Sequence, residues 1–134
     1  MGKYFTIGEL VASQEADRRA INNRLPLDLL INVQHLIDRV LDPLREAYGR
    51  PIRVTSGYRC PELNRVVGGS PTSDHMQARA ADIVGTPNTR EENRRLFELA
   101  KNLDFDQLID ERNLSWIHIS YRSAEENRHQ ILRL

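Results

Sequence analysis

Several residue types are scarce in this sequence, and each shortage excludes something. A single cysteine, Cys60, among 134 residues rules out an internal disulfide and a cysteine-rich zinc finger. Lys3 and Lys101 are the two lysines, the other 17 basic residues are arginines spread along the chain, and the formal net charge is zero. Without a basic run or a net positive field, the chain is not built to grip nucleic acid through its phosphates. No apolar run approaches the ~20 residues that span a bilayer. The stretch from Met1 to Glu9 lacks the apolar centre of a signal peptide. The expectation is therefore a protein with no membrane partner, cytoplasmic as synthesised. Its balanced charge and modest apolar content are compatible with a monomer.

What is present fits one domain over residues 1–134. Hydrophobic residues make up 40% and charged residues 28%. A chain of this length buries roughly two-thirds of its unfolded surface, enough for a core without staples. Thr6-Ile7-Gly8-Glu9 has capping-box spacing for a short helix to about Ala12, and Ser13 opens a second helical turn that Asn22-Asn23 would end. From Pro26, an apolar stripe (Leu29, Leu30, Val33, Leu36, Ile37, Val40, Leu41, Leu44) recurs at three- and four-residue steps up to Gly49. Pro43 inside it predicts a kink or break near Val40. Ile52–Thr55 reads as a strand, Pro61–Val67 as a helix stopped by Gly68-Gly69, Ser70–Gln77 as a loop and Ala80–Val84 as a buried strand. Thr89 to Glu92 has capping-box spacing for a helix to about Leu103. Phe105–Ile109 and Ser115–Tyr121 read as strands joined by a polar turn, and Gln130–Leu134 as an edge strand. Helices first and tightly connected strands later give an α+β fold, helices packed on a small, mainly antiparallel sheet.

The chemistry shows where polar residues occupy positions that a packed strand should fill with apolar ones. Alternation in Trp116-Ile117-His118-Ile119-Ser120 puts Ile117 and Ile119 on one face and Trp116, His118 and Ser120 on the other. Asp82 is a lone carboxylate in an otherwise apolar strand, costly to bury unless it is paired or bound to a metal. His75 precedes it by seven residues. Two imidazoles and one carboxylate make a three-ligand zinc set with a fourth position open for water. Taken singly, each has a blander reading: a loop histidine, a hydrogen-bonded strand histidine, an aspartate paired with an arginine. His35 and His129 receive no role.

The ordered string Ser56-Gly57-Tyr58-Arg59, Leu63-Asn64, Gly68-Gly69-Ser70, Ser73-x-His75, Ala80-x-Asp82 and Trp116-Ile117-His118-Ile119-Ser120 resembles the zinc D-Ala-D-Ala carboxypeptidase family of peptidases. It is closer to that family's short, leaderless branch found in phage and prophage settings. The resemblance runs from about Phe5 to Tyr121. It implies the hedgehog/DD-peptidase fold, a Zn2+ cofactor held by His75, Asp82 and His118, and a peptidoglycan stem peptide as partner. It implies hydrolysis of a bond next to a D-amino acid, as D,D-carboxypeptidase or phage-type endolysin, with phage-type release as a route to the cell wall. Arg59 matches the arginine that stabilises the developing oxyanion, a task suited to fixed, always-charged donors; its alternative is an ion pair with an acid such as Glu62. Ser73 matches a position that binds the substrate's polar ends, or is a turn serine.

Two departures stand out. Ala78 replaces a glycine three residues after the first ligand, a mild change if the backbone there does not need positive φ. Ser115 stands where many members carry an acidic general base three residues before the last histidine. Serine cannot take that proton. Glu111, seven before His118, is therefore the candidate base, ahead of its neighbour Asp110 and of Asp106, though an acid in a polar turn is often only solvated. Ser115 also leaves open a second reading, a zinc-retaining, non-catalytic domain of the same fold that binds a peptide or cell-wall fragment.

Overall fold

The computed structural model describes residues 2–134. Two short capped helices open it. In α1 (Ile7–Val11), Thr6 and Glu9 form the reciprocal capping box, and in α2 (Gln14–Arg18) Ser13 Oγ accepts from the Ala16 N–H. Helix α2 ends at Arg18, before the Asn22-Asn23 pair; Asn23 instead ties down a later loop. The apolar stripe forms a 3-10 turn (Leu27–Leu29), α3 (Leu30–Leu36), a π-helical turn (Ile37–Leu41) and α4 (Asp42–Tyr48), stopped by Gly49 at φ +76°. The expected disturbance near Val40 is that π turn. Pro43 has no N–H to donate and its ring crowds the carbonyl four residues back, and the wider turn just before it takes up the misfit. Ile37, Val40, Leu41 and Leu44 are all fully buried, so the stripe faces the core from Val33 on, while Leu29 and Leu30 at its start are half-buried.

Five strands follow: β1 (Arg53–Ser56), β2 (Ala80–Val84), β3 (Gln107–Glu111), β4 (Trp116–Ser120) and β5 (Gln130–Arg133). They form one sheet in the order β1-β2-β4-β3-β5, antiparallel except for the parallel β3–β5 pair. Helix α5 (Pro61–Val66) and a 3-10 turn (Asp74–Gln77) lie between β1 and β2, and α6 (Arg90–Ala100) between β2 and β3. This is the expected α+β arrangement. Among the described residues, no helix is long and apolar enough to cross a membrane.

Alternation divides the sheet. Ala81, Ile83, Leu108, Ile117 and Ile119 have no exposure and join the helices in one apolar cluster. Asp82, His118 and Glu111 take the opposite parity on the same strands, so the residues with chemistry share the face turned away from that cluster. Strand β3 starts two residues later than expected because Asp106 turns inward. Its carboxylate, with no exposure, accepts from the Arg128 backbone N–H at 3.1 Å and from Arg128 Nε and Nη2 at 2.9 and 2.8 Å, with Arg122 Nε 3.1 Å away. Arg128 thereby clamps the segment leading into β5 onto the start of β3.

These hydrogen bonds from Arg128 hold the Asp106 carboxyl below the usual aspartate range, against the opposing effect of burial. Asp106→Ala should cost about 2–3 kcal/mol in urea unfolding, below the ~3–5 kcal/mol of a fully buried pair because Arg128 is half exposed. A lowered folded-state value makes this stabilisation complete above the unfolded value near pH 4 and progressively lost below it. The gap between wild type and variant should therefore close as the pH falls under about 4.

Candidate metal centre

His75 is placed by local rules. Ser73 caps the 3-10 turn, its Oγ accepting the His75 N–H at 3.1 Å, and Ala78 ends the turn at φ +58°. The His75 ring is 3% exposed, and its Nδ1 lies 2.7 Å from the Gly57 carbonyl oxygen. A carbonyl only accepts, so Nδ1 is a donor, and Nε2 is the nitrogen turned toward the Asp82 carboxylate. An orienting carbonyl behind a ligand imidazole is the usual support of a metal site. Gly57 has no substitute here, because a Cβ would stand 2.1 Å from the Leu10 carbonyl oxygen.

Asp82 and His118 meet through strand register. Tyr121 N–H donates to the Arg79 carbonyl, so the odd residues of β2 bond to β4. Asp82 therefore faces His118 at a non-hydrogen-bonded position, where opposed Cα atoms stand ~4.5 Å apart and side chains are closest. Asp82 Oδ1 lies 3.0 Å from His118 Nδ1 and 3.3 Å from His75 Nε2. One ligand atom from each of the three residues falls within 4.8 Å of the others. Ligands ~2.0–2.1 Å from a tetrahedral ion are about 3.3 Å apart, a spacing close to the two distances from Asp82 Oδ1. Burial alone would push the Asp82 carboxyl up, but the hydrogen bonds with His118 and His75 outweigh it and hold it ionised, well below the usual range.

Arg59 reaches the same place. Its Nη2 is 3.7 Å from Asp82 Oδ2, while Nε donates to Ser56 Oγ at 3.1 Å and Nη1 to Asn64 Oδ1 at 3.0 Å. Its hydrogen-bond partners are thus Ser56 and Asn64, and the acid it pairs with is Asp82 instead of Glu62. Asn64 is 3% exposed and also donates to the Ser70 carbonyl, and a Cβ on Gly69 would stand 2.1 Å from Asn64 Oδ1. The Tyr58-Cys60 backbone is pinned by Asn23, which donates to the Tyr58 carbonyl and accepts the Cys60 N–H.

Glu111 lies opposite Trp116, on the His118 face and one diagonal step (~7–8 Å) from it. Burial pushes its carboxyl above the usual glutamate range; His118 opposes that and Asp82 adds to it, so all three charges share one field.

The family model for peptidase M15 matches residues 3–120. The chain belongs to the peptidase M15 family. Members of that family are metal-dependent peptidases, and the buried His-Asp-His group is able to bind a metal. No curated protein matches the chain.

The M15 match stops just before the segment that supplies Arg122, Arg128 and Arg133. Of the other acids weighed as a base, Asp106 is closed in by arginines, and Asp110 faces the core side, accepting the Leu114 N–H at 2.7 Å and pairing with Arg133. Ser115 is an exposed turn residue whose hydroxyl donates to the Arg112 carbonyl. Ser73 does the work of a turn serine, with its hydroxyl hydrogen left over. Asn64 and Gly57 received no role from the sequence, although both stand inside the motifs that carried the resemblance.

Ala78 corrects an expectation: the backbone there does adopt positive φ, so the loss of glycine is not mild in itself. The left-handed conformation costs an alanine about 1–2 kcal/mol. Burial of its methyl group, 2% exposed, returns close to 1 kcal/mol. Ala78→Gly should accordingly leave unfolding free energy within about 1 kcal/mol of wild type. Adding Zn2+ to metal-stripped protein at about a thousand times its dissociation constant should stabilise the fold by ~4 kcal/mol, a rise of roughly 10–15 °C in melting temperature. Asp82→Asn should abolish that rise, and an equal rise in the variant would place the ion elsewhere.

Proposed function

We propose that this M15 member is a zinc peptidase that hydrolyses a peptide bond next to a D-amino acid in peptidoglycan stem peptides, as a D,D-carboxypeptidase or phage-type endolysin. The observation that carries the reading is the gathering, on one sheet face, of a His-Asp-His ligand set, a carboxylate with a raised pKa and an arginine fixed by neutral partners. His75, Asp82 and His118 would hold the ion. When bound, zinc supplies Lewis-acid polarisation and acidifies water. The chain's own residues supply the rest. Glu111 takes the proton of the attacking water as its oxygen bonds to the carbonyl carbon, and returns a proton to the amine as the C–N bond breaks. Its raised pKa brings it nearer to the value a base needs at neutral pH. Arg59 donates to the oxyanion, and Ser56 and Asn64 keep its fork aimed before substrate arrives. The spare hydrogen of the Ser73 hydroxyl is available to a polar end of the substrate. Phage-type release would bring it to this substrate.

The second reading, a zinc-retaining peptide-binding domain, draws on Ser115, and one experiment separates the two. A digest of purified peptidoglycan by zinc-loaded protein, analysed by mass spectrometry, should show one class of stem-peptide bond opened. Glu111→Gln should lower kcat by about 10²–10⁴-fold with zinc content unchanged, and Arg59→Ala by about 10²–10³-fold. In the metal-free protein the Glu111 carboxyl should titrate above the ordinary glutamate range, because burial raises it, as carboxyl NMR shifts would read. Stoichiometric zinc with no muropeptide cleaved would favour the binding domain, and full turnover in Glu111→Gln would remove that residue as the base.

A further inference from the structure

A groove of about 620 Å³ runs beside the centre, between the outer edge of β1 and the start of α2. Ser56 and Arg59, the residues that connect to Asp82, line it, together with Leu63 on α5 and Val67 just after that helix. The volume lies within the ~300–1,000 Å³ of ordinary ligand clefts. Its floor is a strand edge with backbone groups to offer. Because the odd residues of β2 bond to β4, its even residues turn toward β1, and Thr55 Oγ1 indeed donates to the Asp82 carbonyl. Val84 faces Arg53, so Arg53 bonds inward. The next residue, Val54, lies opposite Ile83 and turns its N–H and C=O outward, into the groove. A bulge follows between Val54 and Ser56, of the kind that re-aims an edge next to a site.

We infer that this groove holds an extended peptide, the part of the substrate running away from the scissile bond, with one of its residues pairing through its backbone to Val54. The inference rests on the peptidase reading only for the identity of the peptide. Strand addition needs an open edge and matching donors and acceptors, and Val54 supplies both. The four residues of β1 span about 13 Å, the length of a three- to four-residue peptide. Asp17 on the α2 wall and Arg53 on the strand offer both signs of charge, which suits a short peptide bearing an ammonium group and carboxylates. The groove's continuity with Arg59 makes the bound chain lead into the metal centre, so it would set affinity for longer substrates and leave a dipeptide at the centre indifferent to it.

The test uses zinc-loaded full-length protein with a synthetic stem pentapeptide ending in D-Ala-D-Ala, and with the dipeptide D-Ala-D-Ala alone. Saturating pentapeptide should slow hydrogen exchange of the Val54 amide at least tenfold, and the dipeptide should not. Val54→Pro removes the outward N–H, a change that an edge position tolerates, and should weaken pentapeptide binding about tenfold with dipeptide binding unchanged. Val67→Trp fills the groove from an exposed position, 42% accessible, and should do the same if the proline variant fails to fold. Cleavage of the pentapeptide with Val54 unprotected would overturn the groove and leave the peptidase standing. Protection of Val54 without cleavage would support the groove and overturn the catalytic reading; neither protection nor cleavage would overturn both.

Discussion

The arrangement depends on one buried carboxylate. Asp82 sits in a strand whose every residue is buried, and it is held there by two imidazoles and approached by a guanidinium. An isolated ionised carboxylate at such a place would be expensive, and the usual escape, taking up a proton, is closed because the histidines favour the charged form. The surroundings are therefore organised to satisfy that charge. Strand β4 brings His118 to the close-packed register position opposite it, the 3-10 turn after α5 brings His75, and the loop after β1 brings Arg59. A divalent cation suits this donor set, since it would replace two contacts by three direct bonds.

Keeping the donors in place falls to residues that stand behind them. The Gly57 carbonyl fixes the tautomer of His75, and Gly57 can sit there only because it has no side chain to strike Leu10. Asn64 holds one arm of Arg59 and is itself held by the Ser70 carbonyl, with Gly69 leaving room for the amide. At the far end of the sheet, Asp106 and Asp110 are occupied by Arg128, Arg133 and the Leu114 N–H. The arginines tie β5 to β3 and the Leu114 N–H closes the β3–β4 turn, which fixes the strand position from which Glu111 meets the field of His118.

Much of this was legible in the sequence because the signals were local. Alternation in β4 separated His118 from Ile117 and Ile119, and a lone aspartate in an apolar run marked Asp82. Capping patterns gave the starts of α1, α2 and α6. What was hidden depended on pairing between distant segments. Nothing near Gln130 says that β5 lies parallel to β3, because that pairing is made by the strand after a clamp between Arg128 and Asp106. The positive φ of Ala78 is likewise set by the need to close the turn on His75, against the preference of an alanine. The Pro43 disturbance was foreseeable, but its form was not: a π turn keeps Val40 and Leu41 buried where a sharp kink would have swung them out.

The serine at position 115, where the resemblance led us to expect an acid, can be understood in the same terms. Arg112, Asn113 and Leu114 all take positive φ, so the hairpin closes through three left-handed residues before β4 begins at Trp116. Ser115 lies at the exit of that turn, exposed, with its hydroxyl spent on the Arg112 carbonyl and its N–H on the Glu111 carbonyl. A carboxylate there would lose the turn-closing donor and gain nothing from the buried field. Glu111, by contrast, stands on the last residue of β3, half-buried and paired with Trp116, where parity alone directs it to the face of His118. On the proposal that Glu111 is the base, a carboxylate across the hairpin would keep what a base requires, a partly desolvated position in the field of the ligand set, while the turn is built from residues that close it.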